Sequence, residues 1–258
     1  MPDSGRFFMI GGGPAARTYY RPFLSRFVET AGGKDAKITI LTAGSDEPQW
    51  ANVDYWEILT GEGLRHLYSP LIADREAAKD EAMAEQIAAS DGIYIAGGSQ
   101  AAFMERLENT PTEDALRTVL KRGGILAGTS SGASVFGDVM ILTGGTVDRH
   151  LRKDMIETGG GFGMLGENIS VDTHCSSRGR LPRNIALLID RPELQIIGID
   201  EDTALYVDEN GRAEVFGEHA VYILNGTGSR PGKLSIRDVT LHCLTEGDGY
   251  DIKNRQPI

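Results

Sequence analysis

The sequence predicts an α/β fold: a mostly parallel sheet with helices on both faces, joined near its C-terminal end by antiparallel strands. Three observations lead there. Up to about Gly145, short apolar runs alternate with helix-length stretches whose apolar residues recur every three or four positions, and parallel neighbours need such crossover helices. The 33 glycines are nearly twice the usual share, and most of their clusters follow an apolar run, where a strand ends and the backbone turns sharply. Beyond Gly145 the runs are short and separated by turns such as Glu209-Asn210-Gly211, the texture of antiparallel strands.

Taken in order, Phe7 to Ile10 is the first strand and runs into Gly11-Gly12-Gly13. A helix over Pro22 to Ala31 leads to strands at Lys37 to Thr42 and Leu64 to Tyr68. The helical spacing of Asp80 to Ala89 precedes a strand at Gly92 to Ala96, which ends on Gly97-Gly98. Helices over Gln100 to Leu107 and Glu113 to Lys121 lead into the strand Ile125 to Ala127. A glycine-rich loop, a strand at Ile169 to His174 and a helical stretch near Arg183 to Leu188 follow. The tail then holds strands at Ile196 to Ile199, Ala204 to Val207, Ala213 to Phe216, Val221 to Leu224 and Thr240 to Leu244, expected to extend the same sheet. With no repeat, linker or low-complexity stretch, residues 1–258 read as one domain.

Composition narrows function. A formal net charge of −11 argues against nucleic-acid binding, which needs a basic surface. No apolar run approaches the roughly 18 residues of a membrane span, and Met1-Pro2-Asp3-Ser4-Gly5-Arg6 is not the start of a signal peptide, so no membrane partner and a cytoplasmic location are expected. Cys175 and Cys243 form neither a disulfide framework nor a zinc spacing. No metal or cofactor is expected.

Chemistry concentrates in Gly128-Thr129-Ser130-Ser131-Gly132, a Gly-x-Ser-x-Gly directly after an apolar strand and before the small-residue stretch Ala133 to Phe136. A serine on a sharp strand-to-helix turn needs small neighbours on both sides. Ser130 is the candidate nucleophile; Ser131, flanked two residues away by Thr129 and Ala133, would crowd such a turn. A serine nucleophile needs a base and the base an orienting acid. Among five histidines, His174 stands out at the end of an apolar run and before the polar stretch Cys175 to Arg183; His66, His150, His219 and His242 lie in less distinctive surroundings. Asp200, Glu201 and Asp202 follow another apolar strand, and the residues alone leave open which of them turns inward.

Four ordered segments, Ala96-Gly97-Gly98-Ser99-Gln100, Gly128 to Ala133, Asp172-Thr173-His174 with Arg178-Gly179-Arg180-Leu181-Pro182-Arg183, and Gly198 to Ala204, resemble cyanophycinase and its relatives among the S51 serine peptidases. The likeness covers roughly residues 90 to 210, and the N-terminal strands fit that family's fold. It implies a class I glutamine-amidotransferase-like architecture and a homodimer. It also implies Ser130 as nucleophile, His174 as general base and acid, Glu201 as its orienting acid, and Gly98 and Ser131 as an oxyanion hole.

The implied reaction is cleavage of cyanophycin, a poly-aspartate bearing arginine on each β-carboxyl, into β-aspartyl-arginine dipeptides. Such a peptide partner suits the residues: Arg178, Arg180 and Arg183 offer planar forks to carboxylates, Asp172 can accept a guanidinium, and Gln100 and Thr173 lie in segments facing the substrate. The chain departs from the family pattern at Ser131, usually Ala, at Ser99, usually Asp, and at Thr173, usually Gln. Its first glycine loop continues Pro14-Ala15-Ala16-Arg17 where acidic residues are common. Ser99 and Thr173 bear on specificity, which makes an aspartyl dipeptidase, or a peptidase for another acidic peptide, the second reading. A third is a non-catalytic binding protein holding an anion at Gly11-Gly12-Gly13, although that loop lacks both the P-loop ending and the full Gly-x-Gly-x-x-Gly spacing.

Overall fold

The computed structural model describes residues 5–13, 22–144 and 153–258. In chain order its strands are β1 (Arg6–Ile10), β2 (Lys37–Leu41), β3 (His66–Tyr68), β4 (Gly92–Ile95), β5 (Ile125–Thr129), β6 (Val139–Thr143), β7 (Glu157–Gly160), β8 (Ile169–Thr173) and β9 (Gln195–Ile199). There follow β10 (Thr203–Val207), β11 (Arg212–Gly217), β12 (Val221–Asn225), β13 (Arg230–Pro231), β14 (Ile236–Arg237), β15 (Thr240–Leu244), β16 (Gly249–Asp251) and β17 (Gln256–Pro257). The α-helices are α1 (Pro22–Ala31), α2 (Pro48–Gly61), α3 (Glu81–Ala88), α4 (Gln100–Leu107), α5 (Pro111–Lys121), α6 (Ser131–Ser134) and α7 (Leu181–Asp190).

A nine-stranded sheet runs β3-β2-β4-β5-β1-β10-β11-β16-β17. Its first five strands pair in parallel and the rest antiparallel. A six-stranded sheet runs β15-β12-β9-β8-β6-β7, parallel at β6-β8-β9 and antiparallel at its edges. The expectation that every tail strand extends one sheet is therefore corrected: β10 and β11 do so, whereas β9, β12 and β15 belong to the second sheet. The physical reason lies in β8 and β9, whose residues are buried along their whole length. A strand covered on both faces reads the same whichever sheet it joins.

Side-chain alternation sorts the layers. Phe8 and Ile10 of β1 face a cluster with Phe23, Leu24 and Phe27 of α1 and Leu59 of α2. Phe7 and Met9 face the opposite cluster, which holds Ile87 of α3, Phe103 of α4 and Val119 of α5, and continues into Val171, Ile197 and Val221 of the second sheet. The far side of that sheet is covered by Leu187 and Leu188 of α7, against Val139, Ile196 and Leu224.

Caps mark several helix starts. Asp80 accepts from the Met83 amide at 2.9 Å and Ser99 from the Ala102 amide at 3.2 Å, while Thr110 precedes Pro111 at the first turn of α5; each position suits a side-chain acceptor or a fixed φ. Periodicity does not reveal α2, because Trp50, Val53 and Trp56 point to solvent while Leu59 is buried. Nor does it reveal β7, whose glycines read as loop yet pair with β6. Among the described residues no helix is long and apolar enough to cross a membrane.

These layers give a stability contrast. Phe8 is fully buried and lies 5.9 Å, centroid to centroid, from Phe27, so Phe8→Ala is expected to cost about 3–5 kcal/mol. Trp56→Ala, on the exposed side of α2, should change stability by less than about 1 kcal/mol; urea unfolding of both variants measures the difference.

Candidate active site

The site is built where parallel strands end together. Ile10 of β1 pairs in register with Thr129 of β5, and Thr173 of β8 with Ile199 of β9. Ser130 thus lies one residue beyond β5, His174 one beyond β8 and Glu201 two beyond β9.

Ser130 sits at φ 55°, ψ −126°, a left-handed backbone that L-residues adopt at a cost. Its amide donates to the Ile10 carbonyl at 3.0 Å. The glycines on either side are demanded by backbone contacts. A Cβ on Gly128 would lie 2.2 Å from the Gly132 carbonyl oxygen, and one on Gly132 would lie 2.4 Å from that of Ile95. Ser131 begins α6 and is buried, whereas Ser130 is partly exposed.

Ser130 Oγ is 2.7 Å from Nε2 of His174, and Nδ1 of His174 is 2.6 Å from Oε1 of Glu201. His174 is only 6% exposed and, like Ser130, has a positive φ, 51°. With Nδ1 protonated toward Glu201, Nε2 is free to accept from the serine hydroxyl, the tautomer that proton abstraction requires. The amides of Gly98 and Ser131 have no backbone acceptor among the described residues. Gly97 packs against the serine, since a Cβ there would lie 3.3 Å from Ser130 Cβ, and Gly98 packs under the Gly44 carbonyl.

Burial pushes the His174 pKa down, the Glu201 hydrogen bond pulls it up, and the Arg178 and Arg180 charges push it down again; the net is below the usual 6.5. For Glu201 burial pushes upward, but hydrogen bonds from His174 and Ser177 outweigh it and hold the carboxyl below its ordinary range. The imidazole is therefore neutral and the carboxylate ionised at neutral pH.

The three adjacent acids divide their duties. Asp200 is buried and accepts from the Ser176 amide at 2.7 Å and the Ser176 hydroxyl at 2.9 Å. Glu201 meets His174, and the Asp202 amide donates to the Gly12 carbonyl at 3.0 Å. Ser176 and Ser177, which support the acids, carry no motif that sequence reasoning could have used.

The other expected substrate contacts separate. Arg178 is exposed. Arg180 has a 12% exposed side chain and donates to Asp172 at 3.1 Å and the Thr173 carbonyl at 2.7 Å; burial lowers its pKa to about 10, and its buried Nε has no partner among the described residues. Arg183 and Asp172 pair with each other. Arg183 is 4% exposed and holds both oxygens of Asp172, itself 2% exposed, while donating to the Gly144 carbonyl at 2.9 Å. The charge pair is satisfied within the chain, as a desolvated charge requires. Thr173 is likewise buried, and one Gln100 amide proton goes to the Ile141 carbonyl at 2.5 Å.

None of the other described histidines is bonded to the relay. His66 lies on β3, His219 donates its amide to Thr203, and the His242 ring packs on Tyr250; His150 lies outside the described residues, as does Pro14-Ala15-Ala16-Arg17. Burial pushes the Cys175 thiol well up, away from a reactive thiolate. Among the described residues no three His, Cys, Asp or Glu side chains group to hold a metal.

Two outcomes follow from this geometry. Asp172→Ala leaves Arg183 buried without its partner and should cost about 3–5 kcal/mol in urea unfolding. The acid limb of kcat/KM should lie below pH 6.5, with neutral His174 as the active form; Arg178→Gln, which removes a neighbouring positive charge, should move that limb upward.

Residues 10–215 match peptidase family S51. The cyanophycinase of Synechococcus elongatus is 32% identical over 260 residues, spanning 96% of this chain and 80% of its own. That of Geminocystis herdmanii (strain PCC 6308) is also 32% identical, spanning 97% and 95%. Among solved structures, a peptidase from an acI-B1 Actinobacterium superposes with a TM-score of 0.71 at 23% identity, covering 96% of this chain and 97% of that one. A putative peptidase E protein from Listeria monocytogenes EGD-e gives 0.52 at 14% identity, with 93% and 99% covered. The fold is thus that of the peptidase E-like α/β proteins, and the match over most of its length means that the chain belongs to the serine peptidase family S51.

Proposed function

We propose that this S51 peptidase hydrolyses cyanophycin, multi-L-arginyl-poly-L-aspartate, to β-aspartyl-arginine dipeptides, with Ser130 as nucleophile, His174 as base and then acid, and Glu201 orienting His174. The observation that carries the reading is the unbroken relay from Ser130 Oγ through both imidazole nitrogens to Glu201, at 2.7 and 2.6 Å.

In the reaction, Ser130 Oγ attacks the scissile carbonyl carbon as its proton passes to His174 Nε2. The oxyanion formed accepts from the Gly98 and Ser131 amides. His174 then returns the proton to the departing amine, leaving an acyl-serine, and water activated by the same nitrogen releases the second product. Glu201 stays ionised throughout and stabilises the imidazolium that forms between the steps.

The substrate class is supported by the curated relatives, cyanophycinases at 30–32% identity over 96–97% of the chain, and by Arg178, the exposed member of the three arginines. Ser99 weighs little against it: the hydroxyl caps α4, a duty that Asp fulfils equally. The same reading carries a homodimer, which light scattering would detect, and a cytoplasmic site of action.

Incubation with cyanophycin granules, with products identified by mass, is expected to give β-aspartyl-arginine. Ser130→Ala should lose several orders of magnitude in turnover, and Ser131→Ala, which keeps its backbone amide, should retain most of it. A β-aspartyl-leucine peptide cleaved as well as its arginine counterpart would overturn the substrate assignment and leave the peptidase class standing.

A further inference from the structure

The Gly11-Gly12-Gly13 loop has no part in the relay, yet together with Ile10 before it, it is bonded to each of the three loops that carry the relay. Three successive carbonyls at the end of β1 accept backbone amides from the three loops of the site. Ile10 accepts from Ser130 at 3.0 Å, Gly11 from His174 at 2.8 Å and Gly12 from Asp202, next to Glu201, at 3.0 Å. All three donors are residues of positive φ, at 55°, 51° and 53°. Gly11 is pressed on the opposite loop, since a Cβ there would lie 1.9 Å from the Asp200 carbonyl oxygen. Gly12, at φ +98°, is pressed on the catalytic ring: its Cβ would fall 2.3 Å from Cε1, 2.6 Å from Nε2 and 2.9 Å from Nδ1 of His174.

A real Cβ does not approach other heavy atoms that closely, so the imidazole occupies the volume that any other residue at position 12 would fill. The ring's two hydrogen bonds leave it no way to withdraw without breaking one of them. We propose that Gly12 is a positioning residue of the active site: its missing side chain sets the depth at which the His174 ring lies between Ser130 and Glu201. The loop then acts as a shared backbone clamp. An anion-binding role for it is disfavoured, because its Gly11 and Gly12 carbonyls are turned to the triad loops and the Gly11 amide donates to the Thr203 carbonyl at 3.0 Å.

The test is a double-mutant cycle on melting temperature, which needs no activity. Gly33, at φ +88° with nothing within 4 Å of a built Cβ, is the control for left-handed strain alone. Gly12→Ala should lower the melting temperature by at least about 5 °C more than Gly33→Ala does, and the excess should fall by half or more in a His174→Ala background, where the ring is gone. A Gly12→Ala protein that folds only in the His174→Ala background gives the same answer. Equal losses at Gly12 and Gly33, or an excess that persists without the ring, including failure to fold in both backgrounds, overturn the proposal.

A kinetic arm rests on the reading of His174 as base. With a β-aspartyl-arginine peptide, Gly12→Ala should lower kcat about 100-fold, leave KM within about threefold, and shift the acid limb of kcat, a change that loss of stability alone does not produce. A kcat within threefold of wild type overturns the positioning role. A wild-type enzyme inactive on every peptide tested would count against the proposed function and leave the melting cycle to stand or fall by itself.

Discussion

The arrangement depends on three residues held in left-handed backbone conformation at strand ends. Ser130, His174 and Asp202 each follow, within three residues, a strand whose residues are buried. A chain that continued in the strand direction would carry these side chains apart. A positive φ turns it at once, at a cost on the order of 1–3 kcal/mol for each residue. Such strain persists only where surroundings over-determine it, and here each amide is tied to a carbonyl of one short segment, Ile10 to Gly12. Two parallel strand pairs from different sheets thereby converge on one loop.

The buried charges serve the same end. Arg183 and Arg180 converge on Asp172 at the close of β8, and Arg180 also holds the Thr173 carbonyl. Replacing such a group with apolar residues is often harmless to stability, whereas removing one partner is not. Its members flank the His174 loop, Asp172 two residues before it and Arg180 six after, which makes orientation of that loop the better account of its presence. Arg180 of the cluster reaches the imidazole as well: burial favours the neutral ring, the charges of Arg180 and of the exposed Arg178 add to it, and Glu201 opposes them.

Much of this was legible in the sequence, for physical reasons that also mark its limits. The parallel strands showed as apolar runs ending in glycine, and Ser130 as the centre of a Gly-x-Ser-x-Gly whose glycines now have named backbone neighbours. Helix α2 was hidden because Trp50 and Trp56 break the rule that apolar residues face inward. The division into two sheets was hidden because a strand buried on both faces carries no alternation. Spacing placed Asp172 and Arg183 near His174 but gave no direction for their side chains, so an internal ion pair and a substrate fork looked alike. The glycine loop announced a tight turn and nothing about the ring lying on it.

The fold, not the spacing, separates Asp200, Glu201 and Asp202. Asp200 is 4% exposed and saturated by donors from Ser176 and from the Ala220 amide, so its carboxylate ties the turn after His174 to the end of β9 and is not free for the ring. One residue on, the side chain points the other way. Glu201 keeps about 29% of its side chain in solvent while accepting from His174 Nδ1. That partial exposure moderates the desolvation that would otherwise favour a protonated carboxyl, and the hydrogen bonds from His174 and Ser177 then suffice to keep it charged. In this chain the carboxylate that meets His174 is the partly exposed neighbour of a buried structural one, a distinction invisible in a run of three carboxylates.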